Sequence, residues 1–208
     1  MQKTVYFVRH GQTEYNRKHI IQGRGVDSDL NEKGRNQAKL LYQAYSDINF
    51  ELVICSSLKR TEQTLHHFIE SGLQKENTAD LDEIGWGEHE GKRATKKMKR
   101  DFDKMLVEWK SGNFDACLQG GESLNELKSR VERIIKQIEA KDESSIIVCS
   151  HGRTLMCLVC MLAGESLTQM WRFSQSNTAV NKCQFDGTSW TVETVGDTSH
   201  LKMEEEHG

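Results

Sequence analysis

Apolar positions in this chain fall in short unbroken runs, each followed by a longer stretch with helical spacing. Thr4-Val5-Tyr6-Phe7-Val8 is β-branched and aromatic and shows no polar alternation, the pattern of a strand buried on both faces. Leu52-Val53-Ile54-Cys55 and Ile146-Ile147-Val148-Cys149 repeat that pattern. These runs predict strands near 3–9, 51–55 and 145–149. The segments behind them predict helices near 31–46, 58–71 and 152–163. Strands alternating with helices imply right-handed crossovers and a mainly parallel sheet with helices on both faces, an α/β fold built as a three-layer α/β/α sandwich. Ser123-Leu124-Asn125-Glu126 has capping-box form and should open a further helix running to about Ala140. Ala179 to Phe185 and Ser189 to Val195 flank Asp186-Gly187 and read as a hairpin at a sheet edge.

One stretch departs from this rhythm. Between Gly85 and Gly121 the chain leaves the sheet. Lys92, Arg93, Lys96, Lys97, Lys99 and Arg100 make it basic, and Phe102, Met105, Leu106 and Trp109 give it an apolar stripe. It reads either as a cap insertion at about 85–121 that draws anions to a site, or as an amphipathic helix with its lysines in solvent. The 208 residues suit a single domain. A formal net charge of -3 argues against nucleic acid as a partner, and no stretch is long enough to span a membrane, so a cytoplasmic setting is expected. The six cysteines lie mostly in apolar surroundings, and Cys157 and Cys160 read as buried free thiols inside a helix. His66, His67, His200 and His207 lack companion ligands at metal spacing and read as surface residues. The segment ending Glu204-Glu205-Glu206-His207-Gly208 reads as a frayed tail.

The chemistry gathers at the strand ends. The first run stops at Arg9-His10-Gly11 and the third at Ser150-His151-Gly152. Ligands of open α/β sheets bind at the carboxyl ends of strands. There an arginine can clamp an anion while a histidine acts as nucleophile or proton carrier. Glycine lets backbone N–H groups approach the anion closely. Arg60 falls in the first turn of the helix after the second strand, where it reinforces the anion preference of a helix N-terminus.

Val8-Arg9-His10-Gly11-Gln12-Thr13, with Asn16, resembles the signature of the histidine phosphatase superfamily, the phosphoglycerate mutase-like family. The similarity continues in order through Gln22-Gly23, Leu30, Gly34, Gln37 and Ala38. It goes on through Ser57, Arg60 and Thr64, then Leu81-Asp82-Glu83 and Gly87 to Gly91, and ends with Gly120-Gly121-Glu122-Ser123 and Ser150-His151-Gly152. The chain departs from the pattern in having no proline, with Asp29 and Leu58 where the family often carries one, and in having His89 where a bulky aromatic is usual.

The resemblance implies a metal-independent phosphatase, without cofactor, that hydrolyses a small anionic phosphorylated metabolite through a phosphohistidine. It makes His10 the nucleophile. Arg9, Asn16, Arg60, His151 and Gly152 would hold the phosphoryl group, Gln22 and Gly23 would form the substrate loop, and Glu83 would be the proton donor. Asp82, Glu88 and Glu90 lie near enough in sequence to compete for that last role. Phosphate monoester hydrolysis needs up to about 29 kcal/mol of acceleration. Positioned donors supply roughly 10 kcal/mol, a general acid about 3–5 and orientation of the nucleophile about 7–11, so a charge clamp alone is insufficient. A phosphoglycerate mutase and a catalytically silent phospho-ligand-binding module are the alternatives, and a homodimer is compatible with either reading.

Overall fold

The computed structural model describes residues 1–204, with side chains to residue 202. Strand β1 (Lys3–Arg9) leads through a one-turn helix α1 (Glu14–Arg17) to α2 (Glu32–Tyr45) and β2 (Leu52–Ser56). Two short helices, α3 (Lys59–Thr64) and α4 (His66–Glu70), precede β3 (Gln74–Thr78). A long connection then carries α5 (Lys96–Lys110), followed by α6 (Leu124–Ala140), β4 (Ser145–Ser150) and α7 (Gly152–Leu162). A 3-10 segment, Leu167–Phe173, precedes the hairpin β5 (Val180–Phe185) and β6 (Trp190–Asp197), and a second, Ser199–Glu204, follows it.

The six strands form one sheet in the order β3-β2-β4-β1-β5-β6. The first four run parallel, and the hairpin adds two antiparallel strands at one edge. Side chains of the central strands alternate between two apolar layers, as period-two geometry requires. Val5, Phe7, Leu52, Ile54, Ile146 and Val148 pack with α6 and α7 on one face. Val8, Val53, Cys55, Ile147 and Cys149 pack with Leu41 of α2 and Phe68 of α4 on the other. The three layers read from the sequence are therefore present. Helix α6 opens on the expected capping box, with Ser123 and Glu126 bonding each other's backbone N–H, and it buries Leu124, Leu127, Val131, Ile134 and Ile138. That three-and-four spacing puts one stripe against the sheet.

The structure corrects the sequence reading in three places. Strand β3 was not anticipated: Gln-Lys-Glu-Asn-Thr is polar and almost wholly exposed, as suits an edge strand that must not recruit another chain. The single helix expected over 58–71 breaks at Leu65. The Thr64 hydroxyl donates to the Arg60 carbonyl one turn back, a contact that bends helices, and Leu65 N–H is shared between Thr61 and Glu62. His200, expected at the surface, is 2 % exposed. The 3-10 turn folds it back onto Thr178, whose hydroxyl lies 3.1 Å from its Nε2. His66 and His67 do pair at the surface with Glu70. Cys157 and Cys160 are buried free thiols, with burial pushing them up to about 12 and about 11. His207 and the tail beyond Glu204 lie outside the described residues.

In the 85–121 excursion, Trp86 packs edge-on to Phe102 and stacks on Trp109, with ring centroids 5.3 and 6.4 Å apart. All six basic residues at its start are exposed.

Candidate active site

Parallel pairing sets the geometry before any side chain is considered. β1 and β4 are neighbours in register, Arg9 opposite Ser150, so the next residue of each strand, His10 and His151, leaves the sheet at the same level. Their ring centroids stand 5.1 Å apart. β2 lies on the far side of β4 and delivers Ser56 to that edge. The Gly11 turn then passes against α2 so closely that a Cβ at Gly11 would sit 2.7 Å from the Gly34 carbonyl oxygen. One at Gly34 would sit 2.1 Å from the Gln12 oxygen. Two side chains are missing where two backbones touch.

His10 is buried, with Nδ1 2.7 Å from the Gly11 carbonyl. A carbonyl only accepts, so Nδ1 carries the hydrogen and Nε2 holds the lone pair. Burial, and after it the charges of Arg60 and Arg9, hold His10 well below the ordinary histidine range and therefore neutral. Arg60 Nε donates to His151 Nδ1 at 3.2 Å, which makes Nδ1 the acceptor and places the His151 proton on Nε2, 2.7 Å from Ser56 Oγ. Burial, then Arg60, also holds His151 well below its ordinary value.

The cations are fixed from several elements. Arg9 Nη1 donates to the Gln175 carbonyl at 2.7 Å, while its buried Nε has no partner among the described residues and stands 3.4 Å from where a Gly152 Cβ would be. Arg60 NH1 donates to Val26 O at 2.6 Å and NH2 to Gly23 O at 3.5 Å, so the 22–26 loop rests on this guanidinium. Gln22 bridges Thr13 and Ser28. A Cβ on Gly23 would collide with the Glu90 carboxylate at 2.0 Å. Asn16 spends its side-chain oxygen on the Thr13 N–H that caps α1, so only its amide nitrogen remains to meet a ligand.

The four nearby carboxylates separate clearly. Glu88 is exposed. Asp82 is engaged by the Ser57 N–H and hydroxyl. Glu90 is tied to the Gly25 and Trp86 N–H groups. Glu83 alone reaches the start of α7, where it accepts from Thr154 N at 3.1 Å and Arg153 N at 3.1 Å, as well as from Ile84 N at 3.0 Å. Its Oε2 lies 3.7 Å from where a Gly152 Cβ would be, on the Arg9 side of that helix end. Arg9, His10, Arg60, Glu83, His151 and Gly152 thus share one site, with Asn16, Gln22 and Gly23 on the loops around it. An open cleft of about 680 Å³ between Arg24, Glu90, Glu122 and Arg133 flanks the site and is lined by none of those six.

Several contributors carried no sequence signal. Asn177 Nδ2 donates to the His10 carbonyl at 2.9 Å and Thr178 N to that of Arg9 at 3.0 Å, so the turn before β5 clamps His10 from behind. Thr178 sits at φ +55°, a left-handed conformation costly for a β-branched residue, and His200 supports it. Arg130 of α6 is buried, pairs with Glu122 at 2.6 Å and donates to the carbonyls of Asp80 and Asp82 at 2.8 and 2.7 Å, fixing the segment that presents Glu83. Only the helical period of α6 marked Arg130, and it marked a position on the buried face.

Known proteins resemble this chain over nearly its whole length. The profile of the histidine phosphatase superfamily (branch 1) matches residues 5–198. A Hydrogenobacter thermophilus protein to which a phosphoserine phosphatase activity is ascribed is 29 % identical over 202 residues, covering 97 % of this chain and 98 % of its own. A Salmonella choleraesuis protein ascribed to the phosphoglycerate mutases is 31 % identical over 211 residues, covering 95 % and 94 %. The structure of Bacillus stearothermophilus YhfR superposes with a TM-score of 0.83 at 25 % identity, covering 96 % of this chain and 99 % of that one. With two histidines at adjacent strand ends, an arginine beside each and a profile match over nearly its whole length, this chain belongs to the histidine phosphatase superfamily.

Proposed function

We propose that the protein hydrolyses a small phosphorylated metabolite by way of a phosphohistidine on His10 Nε2. The observation that carries this reading is the free lone pair on that nitrogen, obtained because Nδ1 is committed to the Gly11 carbonyl within a ring of Arg9, Arg60 and His151. Nε2 attacks phosphorus, the P–O ester bond breaks, and the departing oxygen takes its proton from Glu83. The arginines offset the charge on the phosphoryl oxygens throughout. Glu83 then takes a proton from water, whose oxygen displaces His10 from phosphorus and releases inorganic phosphate. In this reading Asn16 and the Gly152 turn add donors, Gln22 and Gly23 border the entrance, and the 85–121 excursion covers the site. The setting is cytoplasmic, which the buried free cysteines suit.

The test is a rapid-quench experiment with a ³²P-labelled monoester. Wild type should accumulate an alkali-stable, acid-labile protein label that His10→Ala abolishes; label surviving in His10→Ala would refute the assignment. The 31 % identical mutase-type relative favours a second reading, isomerisation of phosphoglycerate. With 3-phosphoglycerate, net phosphate release marks the phosphatase and 2-phosphoglycerate without release marks the mutase.

A further inference from the structure

Arg153, the second residue of α7, holds Glu83 through its backbone N–H, but its side chain has no part in the mechanism above and is unusual. The guanidinium carbon lies 4.8 Å from the ring centroid of Trp171, 5.7 Å from that of Trp86 and 6.0 Å from that of Phe102. No described carboxylate forms an ion pair with it. Among the described residues Nη1 has only the Met156 sulfur at 3.6 Å, and the buried Nε has no partner. The indole Nε1 of Trp171 is likewise buried and has no partner among the described residues. Orphaned donors of this kind cost free energy unless something binds them. The residue also sits at the chemistry, since its backbone N–H holds Glu83 and its charge interacts with Glu83 and Arg9.

We propose that Arg153, with the Trp171 indole N–H, binds a carboxylate that the substrate carries close to its phosphoryl ester, so that the enzyme selects phosphomonoesters of small carboxylic acids. This rests on the phosphatase reading above. Three guanidinium groups serve the site, those of Arg9, Arg60 and Arg153. A phosphoryl dianion matches two of them and, with Glu83 carrying the proton it donates, leaves the third without a counter-charge. Glu83 addresses the ester oxygen and is gripped by the backbone N–H of Arg153 itself, so the third guanidinium springs from the residue that holds the acid and the second anion belongs near the ester-bearing carbon. The planar fork of a guanidinium fits a planar carboxylate, and three aromatic rings hold that fork in place before binding. A second phosphoryl dianion would call for more than one cation and one indole N–H.

Wild type, Arg153→Gln and Trp171→Phe, which keeps an aromatic ring but removes the N–H, are compared on matched pairs. The pairs are phosphoserine against phosphoethanolamine and 3-phosphoglycerate against glycerol 3-phosphate. The expected result is a wild-type kcat/KM at least tenfold higher for the carboxylated member. Arg153→Gln should then lose at least tenfold more on that member than on its counterpart, and Trp171→Phe about threefold more. No wild-type preference, equal losses on both members, or a stronger preference for 2,3-bisphosphoglycerate over 3-phosphoglycerate would overturn the proposal. The phosphatase reading fails separately, if wild type turns over no monoester, p-nitrophenyl phosphate included. In that event calorimetric titration of His10→Asn with each pair, with and without Arg153→Gln, still decides whether the carboxylate is bound.

Discussion

In the proposed reaction His10 and Glu83 address opposite ends of one P–O bond, and both are held by the backbone. The Gly11 carbonyl fixes the tautomer of His10, and three N–H groups grip Glu83. Backbone groups do not rotate away, so each side chain is oriented before substrate arrives, at no ordering cost during reaction. If Glu83 protonates the leaving oxygen, Glu83→Gln should lower kcat by about 10²–10⁴ on alkyl phosphates, whose leaving groups need a proton. On p-nitrophenyl phosphate, whose leaving group departs without one, the loss should be far smaller. Equal losses on the two would remove Glu83 from the role of acid. At this scale His10 and His151 were legible, because β1 and β4 each announce their end by an apolar run stopping at a histidine and a glycine. Residues that act by supporting others were not. Asn177 acts through its side-chain amide and Thr178 through its backbone N–H, on carbonyls that meet them because β5 pairs with β1.

Among the elements, α6 carries two functions on one buried face. Ile134 and its neighbours pack on the sheet, while Arg130, four residues earlier, reaches the carbonyls that precede Glu83. Substitutions along the face should therefore divide. Ile134→Ala leaves a cavity and should cost about 2–5 kcal/mol in urea unfolding with kcat unchanged. Arg130→Ala removes the closest charge partner of the half-buried Glu122, which keeps only Arg24 and the Gly85 N–H, and frees the Asp80 and Asp82 carbonyls, so it should cost about 3 kcal/mol. It should also lower kcat at temperatures where the variant remains folded, and an unaltered kcat would show that Glu83 is held independently of α6. The helices and central strands were readable because burial on one stripe or on two faces imposes a period. β3 and the α3–α4 break were not: an edge strand buries too little to leave a pattern, and the break depends on one hydroxyl contact at Thr64.

For the molecule as a whole, the two site histidines make folding sensitive to acid. In the folded protein burial, joined by Arg60, keeps His10 and His151 neutral well below their ordinary value of 6.5. The unfolded chain protonates both as the pH falls past 6.5, so it binds more protons than the native state. Stability should be unaffected by these groups above about pH 7 and should then decline with acidification by up to about 1.4 kcal/mol per pH unit for each of them. Urea titrations between pH 8 and pH 5 should show this slope. His10→Asn should remove about one proton's worth of it, and an unchanged slope would mean that His10 is protonated in the native state. The parallel sheet and its three layers were legible from the sequence at this scale, because they follow from the alternation of elements. The long-range contacts that complete the site were not. The turn at Gln175–Thr178 and the His200 that braces it also bear on when the enzyme becomes an enzyme. Asn177 and the His10 carbonyl it holds are 167 residues apart along the chain, and His200 reaches Thr178 from beyond β6. An imidazole braced by such distant contacts is aimed only once the sheet has closed, so folding and the arming of the site are one event.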